Sequence, residues 1–372
     1  MNDLEQVIEM KKICIVTGGT GGHIYPALAF ASKVKQLDEQ AEILFIGNDD
    51  RMEAQLIPSC GYPFKALHTS GLAGSVFDKA RAVAQMLGSI SKAKTYLKDF
   101  GADLVIGFGG YVSAPVMSAA VSLGIPTMIH EQNSIVGKSN KLVMNKVDAI
   151  VTCYDKCDEV FPKDKIRKLG NPRATIALEA RPDEDYFHSL GLQDDKKTIL
   201  IMMGSLGSSS VNELMKDALS DVDPSFQILY VCGKDNSDDL DLFKGQSNIH
   251  VVSYVDTLKI YKKIDGMICR AGATTIAELT ALGIPSILIP SPYVANNHQY
   301  YNASQLTERH AAMMIEEKDL NARTLSETMK KLFEDPQTMA SVRENALKMG
   351  KGNAAYDIAA LADSLIRQGA EK

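Results

Sequence analysis

Residues 266–302 read GMICRAGATTIAELTALGIPSILIPSPYVANNHQYYN. Met267, Ile268 and Cys269 form a short apolar run of strand character, Gly272 permits a tight turn, and Thr275 to Leu282 is helical in pattern until Gly283 and Pro285 stop it. The stretch is therefore a strand-turn-helix-strand unit. In such a unit the helix N-terminus points its N–H groups across the carboxyl edge of the sheet, so an anion site is expected beside residues 271–275. Glu278, read as lying in the first helical turn, would repel a phosphate but could accept hydrogen bonds from a sugar diol. The alternative is a capping box, Thr275-Ile276-Ala277-Glu278, with a purely structural purpose.

The same logic extends outward from this stretch. Upstream, residues 198–203 read as a strand, Gly204-Ser205-Leu206-Gly207-Ser208 as a small-residue loop and residues 211–219 as a helix; strands at 227–232 and 249–252 and a helix at 256–264 follow. In the first half, the apolar run 13–17 leads into Gly18-Gly19-Thr20-Gly21-Gly22-His23, and Pro26 is read as opening a helix. Strands are expected at 43–46, 64–67, 103–107, 127–130 and 149–152, with a second glycine loop, Gly107-Phe108-Gly109-Gly110-Tyr111, and a polar cluster, His130-Glu131-Gln132-Asn133, at a strand's end. Polar residues just beyond a strand's carboxyl end sit where open α/β sheets keep their chemistry, although a plain strand end would look the same. Helices at about 323–349 and 353–367 close the chain. The second half repeats the architecture of the first without a clear sequence repeat.

Length and composition set the limits. At 372 residues the chain suggests about two domains. A net charge of -6 and a pI near 5.7 leave no excess of Lys and Arg for a nucleic-acid backbone. The six cysteines show no CxxC pair and read as reduced, mostly buried thiols of a cytosolic protein. Residues 1–10 are acidic and lack the apolar core of a signal peptide. Residues 104–129 carry no charge over a length that could cross a bilayer, but Gly107, Gly109, Gly110, Pro115, Gly124 and Pro126 divide them into strand, turn, helix and strand. Membrane contact would thus be peripheral. The helix expected at about 78–100 mixes Val83, Met86, Leu87 and Ile90 with Lys79, Arg81, Lys92, Lys94 and Lys98, a pattern that suits either an anionic lipid surface or packing on the sheet. Ile24 stands where the dinucleotide pattern GxGxxG needs its last glycine, so Asp49 is not read as a ribose-binding acid. Asp-x-Asp triplets at Asp183, Asp221 and Asp239 lie in charged connections and read as solvated loops, and no metal site is expected.

Taken together, the two glycine loops, Pro26-Ala27-Leu28-Ala29, the 130–133 cluster, Gly170-Asn171-Pro172, Arg270-Ala271-Gly272-Ala273 with Glu278, and Gln299-Tyr300-Tyr301-Asn302-Ala303 resemble the MurG family of bacterial glycosyltransferases. Each motif is weak alone; six in register, from Lys12 to the end of the sequence, are specific. The resemblance implies an α/β GT-B fold, two facing Rossmann-like domains with an interdomain cleft: residues 10–170 plus 353–372 for the acceptor and the membrane, and 171–352 for the donor. It implies an inverting transfer of GlcNAc from UDP-GlcNAc to undecaprenyl-diphosphate-linked MurNAc-pentapeptide in peptidoglycan synthesis, and through it in cell shape and division. The implied location is the cytoplasmic face of the cell membrane, peripherally bound, with other cell-wall synthesis proteins as partners and no cofactor.

By matching position, Glu278 is implied as the ribose ligand, Ala273, Thr274, Thr275 and Ser205 as diphosphate contacts, Val255 as a backbone contact to uracil, and Gln299 and Asn302 as contacts to the GlcNAc hydroxyls. Thr20, Gly21, Gly22, Asn133 and Arg173 are implied as donor contacts from the first half; Arg173 follows Pro172 directly, where some members place a residue between. The reaction needs a base for the acceptor hydroxyl and a positive field for the leaving diphosphate. Helix starts at Thr275 and Ser208 would supply the field. His23 is the candidate base, because a helix N-terminus disfavours the imidazolium and leaves a neutral ring; alternatively it only orients a substrate. His130 and Glu131 are the reserves. Rival readings are a transferase for another lipid acceptor, a UDP-GlcNAc epimerase, and a non-catalytic lipid-binding partner.

Overall fold

The computed structural model describes residues 12–69, 76–204, 207, 209–219, 223, 225–233 and 236–371, giving only the backbone course at 76–84, 209–210 and 237–238. The readings made above for residues 1–10, the 70–75 loop, the side chains of 76–84, Ser205, Ser208 and Asp221 lie outside the described residues.

The chain divides into two compact units, Met1–Arg173 with Asn353–Lys372, and Ala174–Gly352. The first unit holds β1 (Lys12–Val16), α1 (Gly21–Leu37), β2 (Glu42–Asn48), α2 (Glu53–Ser59), β3 (Phe64–Leu67), α3 (Val76–Phe100), β4 (Leu104–Gly107), α4 (Ser113–Ser122), β5 (Thr127–Glu131), α5 (Lys138–Val143), β6 (Ala149–Thr152) and β7 (Ile166–Arg167). Helix α6 (Arg173–Glu179) begins at the boundary. The second unit holds α7 (Glu184–Ser189), β8 (Lys197–Met202), α8 (Ser209–Ala218), β9 (Phe226–Val231), β10 (Ile249–Val252), α9 (Thr257–Ile260), β11 (Gly266–Cys269), α10 (Ala273–Leu282), β12 (Ser286–Leu288), α11 (His298–Thr307), β13 (Met313–Met314), α12 (Ala322–Met329) and α13 (Pro336–Met349). Helix α14 (Ala354–Ala370) belongs to the first unit.

Every strand pairing is parallel, in the orders β3-β2-β1-β4-β5-β6-β7 and β10-β9-β8-β11-β12-β13. Both units are thus doubly wound in the same sense, the architecture expected of two Rossmann-like domains. Sheets covered on both faces need strands that are apolar throughout, and ICIV, LVIG, AIVT, ILI and the buried run of β9 meet that need. One face of the first sheet packs Ile13, Ile15, Leu104, Ile106 and Met128 against Phe30 of α1 and against Ile358, Ala359 and Ala362 of α14. The other face packs Val16, Val105, Ile129 and Ile150 against Val116 and Ala120 of α4. Helix α14 is also tied to α1 by Lys33, which is 1% exposed, donates from Nζ to the Tyr356 hydroxyl at 3.1 Å and lies 4.3 Å from that ring's centroid.

Several sequence expectations are corrected. Helix α1 begins at Gly21, not at Pro26, which sits inside the helix. The 256–264 segment is only α9 followed by a 3-10 turn, with Asp256 capping through a bond from the Leu258 N–H. Strands β7 and β13 have two residues each, too few to leave a periodic signal. Asp183 is the N-cap of α7 and pairs with Lys259 at 2.9 Å. Residues 104–129 resolve into β4, α4 and β5, and no helix among the described residues is long and apolar enough to cross a membrane. Cysteines 14, 157, 232 and 269 are buried, and all six are free thiols.

Ile358 is fully buried in the α14 contact, so Ile358→Ala should remove about 2–5 kcal/mol from the stability of the first unit. Urea unfolding followed by circular dichroism measures the loss.

Candidate functional site

In both sheets the order reverses between the unit's first and fourth strands, β1 with β4 and β8 with β11. Ligands of open α/β sheets bind outside the carboxyl ends of the strands at such a reversal, and the loops singled out in the sequence fall there.

In the second unit β11 ends at Cys269, and Gly272 is the N-cap of α10 with φ -68 and ψ 136. The first intrahelical bond runs from the Ile276 N–H to the Gly272 carbonyl at 2.9 Å, so the N–H groups of Ala273, Thr274 and Thr275 have no partner within the helix and carry its positive end. The backbone at Gly272 is ordinary, and an added Cβ would come no closer than 3.9 Å to Thr275; the expected tight turn is not what requires glycine there. The capping box is absent as well. Thr275 is the third residue of the helix, no side chain caps it, and Glu278 lies in the second turn. Glu278 is buried, and its Oε2 accepts a hydrogen bond from the Tyr261 hydroxyl at 2.7 Å. Burial first, then the Glu278 charge, hold the Tyr261 phenol well above its ordinary range.

Around this helix start opens a cavity of about 370 Å³. Met203, Gly204 and Gly207 line it from beyond the end of β8, Arg270 and Gly272 from the turn after β11, Thr275 from α10, Ser291 and Tyr293 from the segment before α11, and Gln299 from the first turn of α11. Gln299 is fixed by its Oε1, which accepts from the Ser291 N–H at 2.9 Å. Asn302 is fully buried and donates from Nδ2 to the Ala271 carbonyl at 3.2 Å, bracing the turn from behind. The Thr274 hydroxyl is buried without a hydrogen-bond partner. Gly207 has φ +78, and a side chain there would collide with the Cys232 carbonyl.

In the first unit two glycine loops abut. A Cβ on Gly110, whose φ is +88, would stand 2.5 Å from the Gly18 carbonyl oxygen, and one on Gly109 would meet the His23 ring at 2.7 Å. The glycines of the second loop thus serve the approach of loop to loop. His23, in the first turn of α1, places Nδ1 3.0 Å from the Gly18 carbonyl. A carbonyl only accepts, so Nδ1 carries the proton and the neutral ring has its lone pair on Nε2. Beneath the loop, the buried Glu53 accepts from the Gly19 N–H and the Asn48 N–H, each at 3.1 Å.

The 130–133 cluster is internal. His130 is fully buried, its Nε2 donates to the Gly170 carbonyl at 2.9 Å, and its ring stacks on Phe108. Burial lowers its pKa to about 4, the Gly170 bond opposing and His23 adding slightly. Glu131 accepts from Gly137 N–H at 2.8 Å and Asn140 Nδ2 at 2.9 Å; burial raises its pKa against these bonds. Gln132 donates to the Phe108 carbonyl at 2.6 Å, which pins the second glycine loop. The reserves for the base, His130 and Glu131, are therefore built into the scaffold.

Of the residues singled out in the sequence, Thr275 and Gln299 line the cavity; Ala273 and Thr274 are the first two residues of α10, and Asn302 holds the Ala271 carbonyl. Val255 is buried, and Glu278 is buried with its Oε2 accepting from Tyr261. In the first unit Thr20 is the N-cap of α1, ahead of Gly21, Gly22 and His23. The side chain of Asn133 is engaged with Glu131, and the Arg173 guanidinium lies 6.0 Å from the centroid of Tyr25. Sequence reasoning missed Glu53, Tyr261 and Glu317. Only Glu53 had a local signal, an acid at the first helical position after a strand.

Residues 13–152 match the glycosyltransferase family 28 N-terminal domain and residues 198–361 its C-terminal domain. The UDP-N-acetylglucosamine--N-acetylmuramyl-(pentapeptide) pyrophosphoryl-undecaprenol N-acetylglucosamine transferase 1 of Bacillus cereus is 38% identical over 364 residues, 96% of this chain and 100% of that protein. The transferase of the same description from Halalkalibacterium halodurans is 39% identical over 351 residues, 92% of this chain and 96% of that one. The crystal structure of MurG from Acinetobacter baumannii is similar with a TM-score of 0.77 at 27% identity, covering 95% of this chain and 99% of that chain.

The buried His130 yields a pH dependence. Its folded pKa of about 4 lies below the ordinary 6.5, so between these values the unfolded chain binds the extra proton and stability falls with the pH. Glu131, raised by burial, acts in the opposite sense. The stability advantage of wild type over His130→Leu should therefore shrink by up to about 3 kcal/mol from pH 7 to pH 4 in urea titrations.

Proposed function

The chain belongs to the MurG family within glycosyltransferase family 28, and from that premise we propose that it transfers GlcNAc from UDP-GlcNAc to the MurNAc of undecaprenyl-diphosphate-linked MurNAc-pentapeptide, releasing UDP, in peptidoglycan synthesis. The observation that carries the reading is the match, over 96% of the chain, to a transferase whose description names that donor and acceptor. The cavity at the start of α10 supports it with a helix end suited to a diphosphate.

In this reading Ala273, Thr274, Thr275 and Ser205 meet the diphosphate, Glu278 the ribose, the Val255 backbone the uracil, and Gln299 and Asn302 the sugar hydroxyls. Thr20, Gly21, Gly22, Asn133 and Arg173 contribute to the donor from the first unit. The MurNAc hydroxyl attacks the anomeric carbon of GlcNAc, its proton passes to His23 Nε2, and the bond to the diphosphate oxygen breaks with inversion. UDP leaves with the electron pair, and the α10 amides favour the charge that develops on it. The tautomer selected by the Gly18 carbonyl is the one a base at Nε2 requires.

Domain roles follow the same reading: residues 10–170 with 353–372 take the lipid acceptor, and 171–352 take the donor. The acceptor's lipid brings the protein to the cytoplasmic face of the membrane as a peripheral protein, among other cell-wall synthesis proteins. The α3 helix supports the membrane contact with Leu87, 64% exposed, near Lys92 and Lys94.

Incubation with UDP-GlcNAc should release UDP only when a lipid-diphosphate-MurNAc acceptor is added. Release without acceptor, or conversion of UDP-GlcNAc to an epimer, would overturn the reading. His23→Ala should lower kcat by about 10²–10⁴ while UDP-GlcNAc affinity stays within a few-fold. An unchanged kcat removes His23 as the base.

A further inference from the structure

Glu53 opens α2, yet both of its carboxyl oxygens are engaged outside that helix. The side chain is fully buried; Oε2 accepts from the Gly19 N–H and Oε1 from the Asn48 N–H, each at 3.1 Å. Two glycines make room for it. A Cβ on Gly18 would overlap Oε1, and one on Gly47 would come within 2.7 Å of Cγ.

Favouring the start of α2 is a weak reason for this placement, since an exposed acid does the same without losing its water. The bond to Gly19 has a more specific consequence. The Gly19 N–H and the Gly18 carbonyl belong to one trans peptide group and so point to opposite sides of it. Glu53 holds the N–H side, and His23 Nδ1 stands 3.0 Å from the carbonyl on the other. With no Cβ on either residue and Gly19 at φ +91, little in the backbone itself opposes turning this plane over. The contact with Gly110 limits where the peptide lies, and the bond to Glu53 decides which way it faces. The Thr20 hydroxyl, 3.4 Å from Nδ1, can donate or accept and therefore follows either tautomer, whereas the carbonyl selects one.

Resting on the function proposed above, we propose that Glu53 is a positioning residue for the transfer: it orients the peptide between Gly18 and Gly19 so that the carbonyl keeps the His23 proton on Nδ1 and the lone pair on Nε2. Its action passes through that peptide and not through a substrate. When Nε2 takes the proton of the acceptor hydroxyl, the imidazolium that forms keeps its Nδ1–H on the same carbonyl.

Nitrogen NMR spectra of the full chain with isotope-labelled histidine side chains, assigned with His23→Ala, test the geometry apart from activity. Wild-type His23 should carry its proton on Nδ1; a proton on Nε2 overturns the inference without any variant. Glu53→Gln keeps the shape but sets N–H donors against one of the two amides. It should mix the His23 tautomers and lower kcat by about 10- to 100-fold, within the contribution of the base itself, while KM for UDP-GlcNAc stays within about twofold. In a His23→Ala background the same change should lower kcat by less than about twofold. Should Glu53→Gln fail to fold, Glu53→Asp, one methylene short of bridging both amides, should show the same pattern. An unchanged tautomer in the variants, or an equal fall in kcat with and without His23, overturns the positioning role. Mixed tautomers with unchanged kcat support the positioning and overturn instead the assignment of His23 as the base. The spectra need no substrate, so wild-type protein without transferase activity overturns the functional reading alone.

Discussion

The first unit depends on a contact that no side chain could share. Gly110 stands so close to the Gly18 carbonyl that a single added carbon would lie 2.5 Å from its oxygen. Loops from adjacent strands, β1 and β4, meet there because the sheet order reverses at that place and the crossovers depart to opposite sides. The contact fixes the Gly18 carbonyl, which in turn fixes the tautomer of His23. Backbone geometry, ring orientation and proton position thus form one chain of cause.

The second unit reaches the same topology by other means. Its reversal point has an open cavity where the first unit has abutting loops, and the turn into α10 is braced from behind by Asn302 on the Ala271 carbonyl. Gln299 is held by the Ser291 N–H, and Arg270 by Ile289 and Glu317. Gln299, Asn302 and Arg270 each have a partner that sets their direction, so these three need little rearrangement when a ligand arrives.

Much of the fold could be read from residue order, since buried parallel strands must be apolar throughout and glycines mark the turns between them. The two-residue strands escaped because two residues carry no period. The start of α1 was misplaced since Pro26 looks like a first-turn proline, whereas Gly21 and Gly22 already turn helically once Thr20 caps the chain in an extended conformation. The capping box at Thr275 failed for a related reason: the helix begins two residues earlier, at the first position free to turn after Gly272. The cavity's location could be read, because strand-turn-helix units announce where helix ends point. Tyr261 beneath Glu278 and Glu317 beside Arg270 could not, since partners far apart in sequence meet only through the folded sheet. The 130–133 cluster looked like an open site because polarity in a sequence does not distinguish a surface from a hydrogen-bonded interior.

Glu53 gives the two homologous addresses different chemistry. A glycine-rich turn at a strand's end is commonly a nest for phosphate, but here the amide of Gly19 is already engaged by a carboxylate from the chain itself. The protein carries its own resident counter-ion at that spot, as a lock supplied with its key broken off inside. One topology, used twice, therefore offers a helix end at the cavity in one copy and, in the other, a glycine turn whose Gly19 amide is already engaged by an acid, with no change to the fold.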